Sequence, residues 1–164
     1  MAVENADWDA RILKARVVCH TAGRLGTTNA SDNHWSLYFI LHGGRSVRFN
    51  MRAEPGYING SLEIRSHSYE LTSSSIRKWD YGAIKEFTVR MVYEYLGTRC
   101  RYDRYDMSGG GSGCRWWIYT VISALASAGW IQSDAATSLW PDLLFKYSSR
   151  QDRTPLQMIR GTFY

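Results

Sequence analysis

Three residues scattered along the chain are of the types that nucleophilic catalysis uses: His34, Asn50 and Cys114. Cys114 follows a glycine-rich run, SGGGSGCRWW, and opens a segment with the apolar spacing of a helix. The first turn of a helix offers unpaired backbone N–H groups and a partial positive charge, which favour a thiolate. The same N–H groups can receive a developing oxyanion, the Cys114 amide among them. Gly113 lets the backbone turn tightly and lets a substrate approach, and Arg115 adds positive charge nearby. A nucleophilic cysteine needs a base for its proton, and that base needs a group to orient it.

The elements that must position these groups follow from periodicity. Residues 33–41, NHWSLYFIL, alternate Trp35, Leu37, Phe39 and Leu41 with His34, Ser36 and Tyr38, as in a strand with one buried face. SVRFNMR alternates in the same way, and the two runs predict a hairpin turning at Gly43 and Gly44. Matching apolar face to apolar face sets His34 and Ser36 on the same face as Asn50 and Arg52. An odd-length loop containing glycine would provide that register. Asn50 is then the candidate third group, although the hairpin could also bring Ser36 or Arg52 to the ring. Ser36, Arg52, Arg115 and Trp117 are the candidate substrate contacts.

Further along, residues 12–20 read as a first strand and 61–71 as another, extended past a turn at 72–75. The spacing of 84–96 predicts a helix stopped by Gly97. The helix opening at Cys114 carries Ile118, Val121, Ile122 and Leu125 on one side and ends at Gly129. A further helix has Ser133 and Asp134 as cap candidates, and MIRGTFY reads as a short closing strand. Strands first and helices after, in a single domain over 1–164, imply an α+β fold with an antiparallel sheet packed against helices.

Composition bounds the function. The chain has 164 residues, 45% of them hydrophobic, enough for one real core. Its 7 Trp and 11 Tyr suit a core and also a pocket for apolar small molecules. Three cysteines, Cys19, Cys100 and Cys114, are too few and odd in number for a disulfide framework. With no signal-peptide pattern and no membrane-length apolar run, the expectation is a reduced, cytoplasmic protein. The net charge of +5 is carried mostly by scattered arginines, which argues against a nucleic-acid surface. Arg45, Arg48 and Arg52 in one stretch could instead meet anionic groups on a substrate. His20, His42 and His67 lack paired zinc-ligand spacing, so no metal is expected, and thiol chemistry of this kind needs no cofactor.

HWSLYFIL resembles the strand of circularly permuted papain-like proteins, the group that includes lecithin-retinol acyltransferase relatives. There a histidine heads a strand, a polar residue follows on the next, and a cysteine arrives later at a helix start. NHWSLYFIL, SVRFNM and GSGCRWW together also resemble a family of small fungal proteins, some of them associated with secondary-metabolite pathways. The first resemblance implies a permuted papain-like arrangement and a cysteine-dependent acyl transfer or hydrolysis of a thioester, ester or amide on a small molecule. Two other function classes fit the residues: a non-catalytic small-molecule or partner-binding domain, and a cofactor-free cyclase or isomerase using His34. The sequence is silent on oligomeric state.

Overall fold

The computed structural model describes residues 2–21, 33–54, 56–108, 113–150 and 152–164. The fold is α+β. Five strands, β1 (Lys14–His20), β2 (His34–Ile40), β3 (Ser46–Ala53), β4 (Gly60–His67) and β5 (Ser75–Gly82), form an antiparallel sheet in the order β4-β3-β2-β1-β5. The helices are α1 (Asn5–Trp8), α2 (Val89–Glu94), α3 (Cys114–Ser127) and α4 (Ala135–Leu143). Short pairings of β6 (Tyr105–Asp106) with β9 (Thr162–Phe163) and of β7 (Phe145–Tyr147) with β8 (Arg153–Pro155) complete the described elements.

The β2–β3 hairpin has the expected parity. Leu37 faces Phe49 and Ile40 faces Ser46, leaving an odd loop at 42–44 beyond the Leu41–Arg45 bond. Gly43 and Gly44 both have positive φ, +77° and +71°, which side-chain-bearing residues rarely adopt. One face of the sheet therefore carries Val17, Cys19, Trp35, Leu37, Phe39, Val47, Phe49 and Met51, all buried in the main core. Helix α3 covers that face with Trp117, Ile118, Val121, Ile122 and Leu125, and Gly129 ends its run at φ +76°.

The opposite face is covered by a strap of main chain. The run expected to continue as one strand past 72–75 is instead two strands at opposite edges of the sheet. The link from His67 to Ser75 must cross about 19 Å of sheet and run back about 20 Å along it. It does so as an irregular run that ends in a turn, Ser75 N–H donating to Thr72 O (3.1 Å). The strap is stitched down on the way. Ser46 Oγ donates to Tyr69 O (2.6 Å) and Arg16 Nη1 to Glu70 O (2.7 Å), and the Ser74 hydroxyl meets His20 Nδ1 (2.8 Å). Beneath it lies a second small apolar cluster, Val18, Tyr38 and Ile40.

Two expected boundaries shift. The helix predicted over 84–96 starts only after Thr88, whose hydroxyl accepts from the Met91 amide, and Ile84 is exposed. Gly97 does not stop it, because the chain continues as a π-helical turn over Tyr95–Arg99. Among the described residues no helix is long and apolar enough to cross a membrane.

Candidate functional site

His34 opens β2 on the strap-covered face, and β2 pairs with β3 from Leu37 onward. At this end of the sheet His34 reaches diagonally to β3, with Nε2 2.5 Å from Asn50 Oδ1. An amide oxygen can only accept, so Nε2 carries the hydrogen and Nδ1 is the basic nitrogen. Asn50 is in turn held by its register neighbour on β4, Glu63, through Nδ2 donating to Oε2 at 3.2 Å. The structure thus brings His34 and Asn50 together and adds Glu63, which the sequence reading missed. Glu63 sits on the same face as Asn50 by strand alternation, the signal that could have found it.

Burial pushes the His34 pKa down, and the positive charges of Arg48 and Arg52 act in the same direction. The Asn50 bond and the Glu63 charge oppose them without reversing the result. His34 is therefore held toward its neutral, basic form. For Glu63, burial would raise the carboxyl pKa. The Asn50 hydrogen bond and the guanidinium groups of Arg48, Arg65 and Arg52 outweigh it and keep the group ionised.

Cys114 lies at the same end of the sheet but belongs to the helix-covered face. Gly113 caps α3 at φ +131°, and a Cβ there would stand 2.9 Å from Tyr105 Oη. Tyr105 Oη donates to Gly113 O (2.7 Å) and accepts from Gly161 N–H (2.8 Å), so a buried tyrosine fixes the helix start. The glycine run 109–111 lies outside the described residues. Cys114 as a residue is half-buried, yet its sulfur lies in packed surroundings close to Cys19.

Here the thiol differs from the sequence expectation. Burial pushes its pKa up. The backbone N–H of Trp35, the Arg115 charge and the amides of Arg115 and Cys114 favour the thiolate without overcoming that burial. A helix start favours the thiolate locally, but desolvation by whatever packs over the sulfur acts against it and is larger here. Among the described residues no hydrogen bond joins Cys114 to His34. What links them is Trp35, the residue after His34, whose backbone amide faces the sulfur.

The other candidates are placed differently. Arg115 turns into the fold, donating to the carbonyls of Leu143, Leu156 (3.1 Å) and Gln157 (2.5 Å). It ties the end of α4 and the C-terminal segment to α3, a structural task set by distant main chain. Trp117 is fully buried, with its indole N–H on Tyr102 O (2.7 Å). Ser36 is fully buried too, and its hydroxyl meets His20 Nε2 at 2.5 Å. Arg52 is half-exposed on the rim beside Asn50, with Nε 3.8 Å from Glu63 and Nη2 3.0 Å from Glu54.

His20, which lacks zinc-ligand spacing in the sequence, has a defined place in the fold. It is held between Ser74 and Ser36, its ring centroid 5.9 Å from that of His34. Burial lowers its pKa to about 3, helped by His34 and Arg48. No group of three or more metal-ligand side chains gathers among the described residues. Two clefts among the described residues lie elsewhere. One of about 550 Å³ is lined by Met91, Glu94, Tyr95, Thr98, Arg99 and Trp130, and a second of about 330 Å³ involves Trp8 and Tyr93. Neither includes a residue of the His34 or Cys114 surroundings.

Residues 15–164 match the family described as a domain of unknown function, DUF7770, and the chain belongs to that family. No curated protein and no solved structure matches it.

Proposed function

We propose that the chain is a cysteine-dependent acyltransferase or hydrolase, acting on a thioester, ester or amide of a small molecule with a permuted papain-like arrangement. The observation that carries this reading is the oriented imidazole. His34 presents a neutral ring whose Nε2–H is committed to Asn50, and the next backbone amide, that of Trp35, faces the Cys114 sulfur. Nδ1 of His34 is only a few covalent bonds from that amide, and the β2–β3 ladder runs no closer to this end than Leu37.

The raised thiol and lowered imidazole describe a resting pair that is neutral, so attack is by general-base catalysis. Because the two groups sit on opposite faces of the same sheet end, the Cys114 S–H proton reaches His34 Nδ1 through a water around the end of β2 as the sulfur bonds the acyl carbon. The backbone N–H groups of Cys114 and Arg115 suit the oxyanion of the tetrahedral intermediate. His34 then gives its proton to the leaving group, and water or an acceptor, deprotonated by His34, releases the acyl group and restores the thiol. Small molecules of secondary metabolism are the first substrates to try, following the resemblance drawn from the sequence.

The test is intact-mass detection of an acyl adduct after mixing the full chain with activated small-molecule thioesters. The expected result is one adduct on Cys114, absent in Cys114→Ser at that position and slowed about 100-fold or more in His34→Ala. An adduct that forms equally fast in His34→Ala sinks the reading. A second reading, proton transfer by His34 in a cofactor-free cyclase or isomerase, is favoured by the neutral base and the missing Cys114–His34 hydrogen bond. It requires that Cys114→Ala keep most of the turnover that His34→Ala abolishes.

A further inference from the structure

We infer that the substrate of this site carries an anionic oxygen group, carboxylate or phosphate, a short spacer away from the reacting carbon, held by Arg52 and Arg65. The inference rests on the acyl-transfer reading only for the word substrate; the anion site stands on its own geometry. Three guanidinium groups from two neighbouring strands converge on the single carboxylate of Glu63. Arg65 Nη2 is 2.9 Å from Oε1, Arg48 Nη2 is 3.3 Å from Oε2, and Arg52 Nε is 3.8 Å from Oε2. Glu63 also accepts from Asn50, so its two oxygens are shared among four partners.

The guanidinium groups around Glu63 therefore outnumber its two oxygens. Further in on the same face, Arg48 Nε, Tyr38 Oη and His67 Nε2 are buried with no hydrogen-bond partner, so the inner end of the cluster is not fully paired. The Arg52 contact with Glu63 is too long for a hydrogen bond, and its other partner, Glu54, is mostly solvent-exposed. Arg52 and Arg65 are each about half-exposed, at 51% of their side-chain surface, so both guanidinium groups face solvent as well as their carboxylate partners. Arginine forks match the paired oxygens of carboxylate and phosphate.

The placement connects this surplus to the chemistry. Arg52 lies two positions beyond Asn50 on the same strand face, about 7 Å along β3. Arg48 lies two positions the other way, and both charges act on the His34 ring. An acyl compound whose carbonyl carbon faces the His34 corner would thus set a nearby anionic group among the arginines. An uncharged acyl chain would leave them unused.

The experiment follows the His34 ring Cε1–H resonance of the full chain by NMR while inorganic phosphate or acetate is added, with ionic strength held constant by sodium chloride. The expected result is a saturable shift whose dissociation constant weakens about tenfold or more in Arg52→Gln/Arg65→Gln, since each guanidinium lost removes charge-assisted bonds. Tighter binding of phosphate would point to a phosphorylated substrate, and tighter binding of acetate to a carboxylated one. No saturable shift with either anion, or an unchanged constant in the double variant, overturns the inference. Should the double variant lose its native circular dichroism, Arg52→Gln alone gives the same comparison. None of these readouts needs a reactive Cys114. Saturable anion binding without a Cys114 adduct would sink acyl transfer and leave the anion site standing.

Discussion

His20 and His34 are register neighbours on β1 and β2, and each reaches diagonally across to the next strand. His20 takes Ser36 and His34 takes Asn50, both at 2.5 Å and both sixteen residues on. Local geometry makes them near copies. What surrounds them makes them different. His20 is sealed under the strap by Ser74 and is only 6% exposed, while His34 keeps some surface and faces an arginine-rich rim. The same strand-end histidine is a structural hydrogen-bond bridge in one place and a candidate base in the other, and coverage decides which.

The comparison is broken most severely by truncating each ring. His20→Ala leaves the buried Ser36 hydroxyl without its partner, removes the Ser74 contact and opens a void, so it is expected to cost about 2–4 kcal/mol. His34→Ala, at a half-buried site, is expected to cost about 1 kcal/mol or less. Urea denaturation of both variants measures the difference, and equal losses would mean that the strap does not distinguish the two corners. Ser36→Ala is a smaller perturbation. It strands one nitrogen of His20 and should cost about 1–2 kcal/mol. The His34 resonance should be unmoved by it if the two relays are separate.

The mildest probe is pH. Both histidines have folded pKa values below the ordinary 6.5, His20 at about 3. As pH falls through 6.5 the unfolded chain takes up protons that the folded chain refuses. Their contribution to stability is therefore full above about pH 6.5 and is lost toward pH 3. Each histidine adds at most about 1.4 kcal/mol per pH unit. Between pH 6.5 and 4.5 the paired carboxylates Asp7 and Asp80, both held below their usual range, stay ionised. A Tm that falls across that window in wild type, and falls less in His20→Asn, is the expected result. A flat Tm would show that His20 is not held neutral.

Much of the site's frame was legible in the sequence. The alternation of NHWSLYFIL against SVRFNMR placed His34 and Asn50 on one face, and the odd glycine loop supplied the register. Helix α3 begins at Cys114 and ends just before Gly129, as its apolar spacing implied. The helix over 84–96 was misplaced because exposed Ile84 and Met91 mimic a buried stripe. Arg115 and Trp117, offered as substrate contacts, turn inward to carbonyls of Leu143 and Tyr102 that no local pattern connects with them.

The sequence by itself determined which side chains share a strand face and where a helix can start, because those follow from the periods of two and 3.6 residues within a few neighbours. Only the tertiary structure decided that β5 leaves β4 for the far edge, so that its link becomes a strap over the sheet. That placement buries His20 and gives Ser74 to it. Packing likewise set the charge states, raising the Cys114 thiol that its helix position alone would have lowered. Desolvation is the sum of everything gathered around a group, and most of what surrounds these groups arrives from distant parts of the chain.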